Sequence, residues 1–188
     1  MKKLLMAVIA MVTFATANAA TSGIEDVQPD GGFNLGIQLG IPPVGDWDAN
    51  MPMIAIDGNW TLTSGMFNAG KFGQNGAIDL GFYYGACHYT NEYWGREDGL
   101  FQNAVLARAA FHFEFVPKLD VYAGTFGGVN IWVPTKDSEW DSDVKGCFGM
   151  KIGAKYYFTE SFGAKLEFGD DFIEGNYPVV QAGVTFKF

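Results

Sequence analysis

The chain has 188 residues, 25 of them glycine, with 16% aromatic residues and a formal net charge of −9. So acidic a polypeptide repels nucleic-acid phosphates and is not drawn electrostatically to anionic lipid, so no nucleic-acid partner is expected. Glycine at this frequency opposes long helices, because each one costs about 1 kcal/mol relative to Ala in a helix interior, whereas glycine and aromatics spread through short segments favour an all-β chain rich in turns.

The first nineteen residues read as a targeting segment and not as part of the fold. Lys2 and Lys3 form a positive n-region, Leu4 to Phe14 an apolar h-region, and Ala17-Asn18-Ala19 a signal-peptidase site. The apolar run is about eleven residues, short of the roughly 18 to 20 that a membrane helix needs. No Cys follows the cleavage site, so a lipoprotein anchor is not indicated. Cleavage after Ala19 removes both lysines and leaves an exported, still more acidic chain. Residues 20–32 show no period and read as a flexible leader; residues 33–188 read as a single β domain.

From Phe33 the chain alternates with period two. Phe33, Leu35, Ile37, Leu39 and Ile41 share one face of a strand, and Asn34, Gly36, Gln38 and Gly40 the other. Ile54, Ile56, Trp60 and Leu62 then alternate with Ala55, Asp57, Asn59 and Thr61. Next come Ile78, Leu80, Phe82 and Tyr84 against Ala77, Asp79, Gly81 and Tyr83, and Val105 to Phe115 against Arg108, His112 and Glu114. A strand from about Leu119 to Trp132 has an ambiguous facing: Val121, Ala123, Thr125 and Val129 fit either side. The last three alternating segments run from Phe148 to Phe158, Phe162 to Phe168 and Val180 to Phe188. Eight strands result, at about the 9–11 residues of a tilted membrane strand. Val116-Pro117-Lys118 and Thr159-Glu160-Ser161 are tight turns, and Pro42–Asn50, Thr90–Phe101, Pro134–Lys145 and Asp170–Pro178 are long loops. The stretch Thr63–Asn75 breaks this alternation of short and long connections.

Period two alone suits a soluble sandwich as well as a membrane barrel, and the aromatic load decides between them. Seven faces bearing large aromatics would overfill the interior of an eight-stranded barrel, whereas glycine and modest polar groups fit there. With the apolar faces outward and the sheet closed on itself, every backbone group is satisfied in lipid. Phe113, Phe115, Tyr156, Phe158, Phe186 and Phe188 then gather toward one rim as an interfacial girdle. The expected fold class is an all-β, transmembrane antiparallel up-and-down β-barrel of eight strands, located in the cell outer membrane.

The C-terminus carries a resemblance. Val180, Ala182, Val184 and Phe186 alternate up to a terminal Phe188, and from Phe33 onward the chain resembles the small eight-stranded outer-membrane barrels of the OmpX and OmpA transmembrane-domain type. The resemblance implies that Val184, Phe186 and Phe188 form an assembly signal read by the barrel-assembly machinery. No particular activity follows from it, because such barrels serve many roles.

By parity Asp57, Asp79, Arg108, His112, Glu114, Lys151, Lys155, Lys165, Glu167 and Lys187 face inward. They mix both signs, as an interior ion-pair network requires; a selective pore lining is the rival reading. Arg108 and Glu114 are expected in one network. His112 and Glu114 share a face as an acid–base pair would, but no serine nucleophile stands beside them, so an enzyme acting on lipid is the weakest reading. No metal-ligand spacing surrounds His88, and no cofactor is expected. Cys87 and Cys147 fall inside near the loop-bearing rim. Export permits a disulfide between them, but their strands are three apart and bridged Cα atoms must lie within about 7 Å. Trp47, Tyr93, Trp94, Arg96 and Trp140 are the candidate loop contacts for an extracellular partner. The expected partners are otherwise outer-membrane lipid and lipopolysaccharide. The expected function is structural or surface-interacting, with a small pore as the alternative.

Overall fold

The computed structural model describes residues 23–42, 48–93, 96–135, 141–173 and 177–188. Eight strands, β1 (Phe33–Gly40), β2 (Met53–Thr63), β3 (Ala77–Tyr93), β4 (Arg96–Val116), β5 (Leu119–Pro134), β6 (Asp143–Tyr157), β7 (Phe162–Asp171) and β8 (Val180–Lys187), pair antiparallel in chain order. β8 also returns to β1, with Leu35 opposite Phe186, Ile37 opposite Val184 and Leu39 opposite Ala182. The sheet is therefore closed and leaves no edge unpaired, which is what a spanning sheet needs where no water can satisfy its N–H and C=O groups.

Alternation sorts the two faces. Ile37, Leu39, Ile54, Ile56, Leu80, Phe82, Val105, Phe111, Met150 and Ile152 all point outward and are exposed. Asn34, Gln38, Asp57, Asn59, Asp79, Arg108, His112, Lys155, Lys165 and Glu167 point inward and are buried. A polar interior under an apolar wall is the reverse of a water-soluble fold, and the chain is a transmembrane barrel of the outer-membrane type. In β5 the pairing resolves the ambiguous facing: Asp120, Tyr122, Phe126 and Asn130 are buried inside, and Ala123 and Val129 lie outside.

One sequence expectation about the interior needs correction. Tyr83, Tyr122, Phe126, Tyr157 and Tyr177 are all buried, although rows of aromatics are too large for an eight-stranded lumen. Glycine makes the room. A Cβ at Gly153 would run into the Tyr122 ring, and one at Gly149 into the Phe126 ring. Bare positions on one strand receive the rings of the next.

Both ends of the barrel domain and the short connections lie at one rim, the periplasmic one by the rule that outer-membrane barrels turn tightly there. Lys118 closes the β4–β5 turn with φ 69°, and Phe158 N–H donates to the Phe162 carbonyl across the β6–β7 turn. At the opposite rim the expected loop Thr90–Phe101 is for the most part not a loop. β3 and β4 stay paired from Ala77–His112 to Tyr93–Arg96, and Asp48–Ala49 adds to the side of β3 opposite Thr90 and Tyr89. Above the bilayer neither face of a hairpin meets lipid, so the ladder continues there without the alternation by which strands are recognised.

Two periplasmic segments also depart from expectation. Residues 23–32 are not a loose leader. Ile24–Asp26 form a 3-10 turn, Ile24, Val27 and Gln28 are buried, and Gly31 and Thr61 exchange backbone bonds with their surroundings. The over-long β2–β3 connection folds as a small hairpin of its own, Phe67–Asn68 against Gln74–Asn75, with a 3-10 turn Gly70–Phe72 at its tip.

Candidate functional site

The lumen holds the chemistry, and its side chains are set by strand parity, one layer above another. At mid-height Glu167 (β7) takes the Arg108 guanidinium from β4, the Tyr122 hydroxyl at 2.8 Å and the Tyr177 hydroxyl. Asp57 (β2) accepts both from Lys165 Nζ at 2.8 Å and from the amides of Gln38 and Asn59 at 2.7 Å, and lies 3.6 Å from Arg108 Nη1. Two carboxylates thus face two cations with hydrogen bonds filling the remaining lone pairs, the condition under which charges survive in a low-dielectric interior. Tyr177 descends from the β7–β8 loop, stacks on Phe126 at 4.1 Å and caps this layer from the extracellular side.

Below it His112 stands between two carboxylates. Nε2 is 2.9 Å from Asp79 Oδ2 and Nδ1 is 2.8 Å from Asp120 Oδ1. A ring that donates from both nitrogens satisfies both oxygens. The Gln28 amide then enters from the N-terminal segment. It donates to Asp120 Oδ2 at 2.7 Å, while its carbonyl oxygen accepts from Asn34 Nδ2 and Thr61 Oγ1, each at 2.9 Å. Tyr157 extends the chain by donating to Asn34 Oδ1 at 2.8 Å. Lys155 Nζ approaches Asp120 to 3.6 Å. Lys151, Lys155 and Lys165 all lie 5.3 to 5.9 Å from the Tyr122 ring centroid, three cations around one aromatic face system.

Of the ten inward charges expected from parity, eight belong to these two layers. Glu114 does not meet Arg108. Its carboxylate instead accepts from the backbone N–H groups of Gly23 (3.2 Å) and Lys118 (2.9 Å), so it ties the N-terminal segment and the β4–β5 turn to the periplasmic rim. Lys187 is half-buried at the same rim, donating to the Asp26 carbonyl and lying over the Tyr157 ring. Around it is an open pocket of about 540 Å³ between Lys118, Tyr157, Glu160 and Lys187. Asp120, Gln28 and Tyr177 are site residues that the sequence reading missed. Asp120 was legible in principle, by extending the Tyr122/Phe126 parity one step back. Gln28 and Tyr177 lie on segments with no period.

Cys87 and Cys147 are both buried, and they are free. The disulfide that export would permit is not formed, and the register is the reason. Cys87 sits opposite Gln102 on β4, and Cys147 opposite Gly128 on β5, so two whole strands lie between them. At about 4.8 Å per strand their Cα atoms cannot come within bonding reach. Cys87 Sγ instead faces the Met51 carbonyl at 3.2 Å. Thiol titration of unreduced, denatured protein is expected to find two free thiols; none would mean a bond that this register forbids. The loop contacts Trp47, Trp94 and Trp140, and the side chains of Tyr93 and Arg96, lie outside the described residues. Among the described residues no group of three His, Cys, Asp or Glu is placed to hold a metal.

No protein-family model and no curated protein matches the chain. Among solved structures it is similar to the outer membrane protein OprG from Pseudomonas aeruginosa (10% identity, 85% of this chain and 96% of that one, TM-score 0.49). It is similar also to the N-terminal barrel domain of Pseudomonas aeruginosa OprF (18% identity, 85% and 98%, TM-score 0.44). A third is Ail, the attachment invasion locus protein of Yersinia pestis (10% identity, 85% and 99%, TM-score 0.45). The likeness is one of architecture, and no ligand or activity transfers with it.

Proposed function

We propose that this outer-membrane barrel is a closed, non-conducting and non-enzymatic envelope protein, whose body is a rigid mount and whose extracellular loops meet its partners. The observation that carries the reading is the inaccessibility of the lumen. Asp57 is 1% exposed, Arg108 2%, His112 0% and Glu167 0%. Any path wide enough for water would leave its polar lining accessible to water, so these values argue against a conducting pore. Tyr177 above and Gln28 below narrow the lumen further from two segments outside the strands. The His112–Asp79–Asp120 group lacks a nucleophile, and both its ring nitrogens are already engaged, which weighs against acyl transfer.

The rigid body serves the extracellular side. The β3–β4 ladder carries paired backbone continuously from the membrane to Tyr93 and Arg96, so whatever the loop residues bind is presented from a stiff stalk. Tyr93, Trp94 and Arg96 at this hairpin, with Trp47 and Trp140 from other loops, are the proposed contacts, and Val184, Phe186 and Phe188 the proposed assembly signal. The test is single-channel recording in planar bilayers. The purified, folded barrel is expected to give no steady unitary openings above baseline. Reproducible ohmic steps would reject the closed reading in favour of a pore for ions or small solutes.

A further inference from the structure

The β2–β3 connection spends thirteen residues, 64–76, where its neighbours at the same rim spend two to four, and the excess is not loose chain. Met66 N–H donates to the Gly76 carbonyl at 3.1 Å, Ala69 N–H to Gly73 O at 2.8 Å, and Gly73 N–H to Gly70 O at 3.0 Å. Asn75 fastens this hairpin to the wall. Its side-chain amide donates to the Glu114 carbonyl, and its Oδ1 accepts from the Glu114 N–H, each at 2.9 Å, in the manner of a strand neighbour. The hairpin is thus held in one orientation by buried bonds at its base.

That orientation lays it on the outside of the barrel. Phe67 stacks on Phe111 at 6.4 Å and approaches Phe113 at 6.3 Å; Phe72 meets Phe113 at 5.7 Å and Phe115 at 6.1 Å. Phe111, Phe113 and Phe115 are the last three outward residues of β4, in descending order toward the periplasmic rim. Phe67 is therefore the deeper ring and Phe72 the shallower. Met66 and Phe67 remain exposed on the side away from the wall. Lys71 is exposed at the tip, with Nζ 4.8 Å from the Phe72 centroid. Apolar groups at depth with an ammonium at headgroup level is the arrangement that an amphipathic anchor adopts in a membrane interface.

We infer that residues 66–72 form a binding site for an anionic phospholipid of the periplasmic leaflet. The acyl chain lies along Met66 and Phe67, and the phosphate meets Lys71. The surface is continuous with the lipid-facing wall, and Lys71 supplies the opposite sign to the phosphate on a chain that is otherwise strongly acidic. The inference rests on the membrane reading of the barrel and not on what the extracellular loops bind.

The test is native mass spectrometry of the full chain, released from detergent micelles doped with phosphatidylglycerol or, separately, phosphatidylcholine. Wild-type protein is expected to retain phosphatidylglycerol preferentially. Lys71→Gln is expected to lower that retention about five-fold, the value of one lysine near an anionic surface, and Phe67→Ser to lower retention of both lipids. Lys118→Gln, another lysine of the same rim, is expected to change neither. Equal retention by wild type, Lys71→Gln and Phe67→Ser overturns the site. So does a wild-type dimer that Phe67→Ser dissolves, because the face would then belong to a second copy of the chain. All the variants alter exposed or rim side chains and are expected to keep the gel shift between boiled and unboiled samples. Loss of that shift in the wild type would instead sink the membrane reading itself.

Discussion

Replacing Arg108 with Leu is expected to destabilise the folded barrel by about 3–5 kcal/mol, the usual consequence of removing one partner from a buried ion pair. The reason lies in what stays behind. Glu167 loses its guanidinium and Asp57 loses a second cation at 3.6 Å, while both remain buried inside the sheet. Lys165 is then shared by both carboxylates, 2.8 Å from Asp57 and 3.6 Å from Glu167, one ammonium where there had been two cations. The tyrosines donate hydrogen bonds but no charge. The urea midpoint of unfolding from phospholipid vesicles measures the loss. Arg108→Leu combined with Glu167→Gln is expected to recover much of it, because the amide oxygen still accepts from one of the two tyrosine hydroxyls, its NH2 group donates to the other, and no unpaired charge is left. An unchanged midpoint in the single variant would mean that the lumen charges are solvated, and the closed interior would have to be given up with them.

The parts of this molecule that were legible in the sequence are those where lipid imposes a rule. Wherever a strand crosses the bilayer, one side must be apolar and the other enclosed, so Phe33–Ile41 or Phe148–Phe158 can be sorted residue by residue. β5 was ambiguous because its outward side is small: Ala123, Thr125 and Gly127 carry little hydrophobic signal, and two of its large residues, Tyr122 and Phe126, point inward over Gly153 and Gly149. Asp120 was lost with that ambiguity. Outside the bilayer the rule lapses. The extended β3–β4 ladder, the packed segment 23–32 and the hairpin at 64–76 obey local hydrogen bonding and contact with distant residues, neither of which leaves a period.

The lumen shows the same limit in its chemistry. Parity identifies which charges go inside but not which of them meet, since partners come from strands far apart in the chain: Asp57 and Lys165 are 108 residues apart, and Arg108 and Glu167 are 59. Glu114 illustrates the difference. It has the parity of a network member, but at the end of β4 its carboxylate takes the backbone N–H groups of Gly23 and Lys118, and it joins the rim instead. The plug is therefore built from sequence-legible charges and completed by Gln28 and Tyr177, which close it from the two ends.

Putting arginine on the wall separates a membrane barrel from a soluble one most directly. Ile152 is 50% exposed on β6, about midway between the periplasmic girdle around Tyr156 and Phe158 and the extracellular rim, opposite Phe168 on β7 and Ala123 on β5. On a water-facing surface Ile152→Arg would be neutral within about 0.5 kcal/mol, the usual range for exposed positions. At the bilayer midplane it is expected to destabilise by about 2–4 kcal/mol, because the guanidinium must be held in hydrocarbon or dragged to the interface. Val144→Arg, higher on the same strand and also outward, is expected to stay within about 1 kcal/mol, since the penalty falls toward the interface. The pair read together, by urea unfolding from vesicles, gives a depth profile on one strand. Two equal and small effects would place that wall in water, and the outward direction of every apolar residue on the barrel would then be wrong.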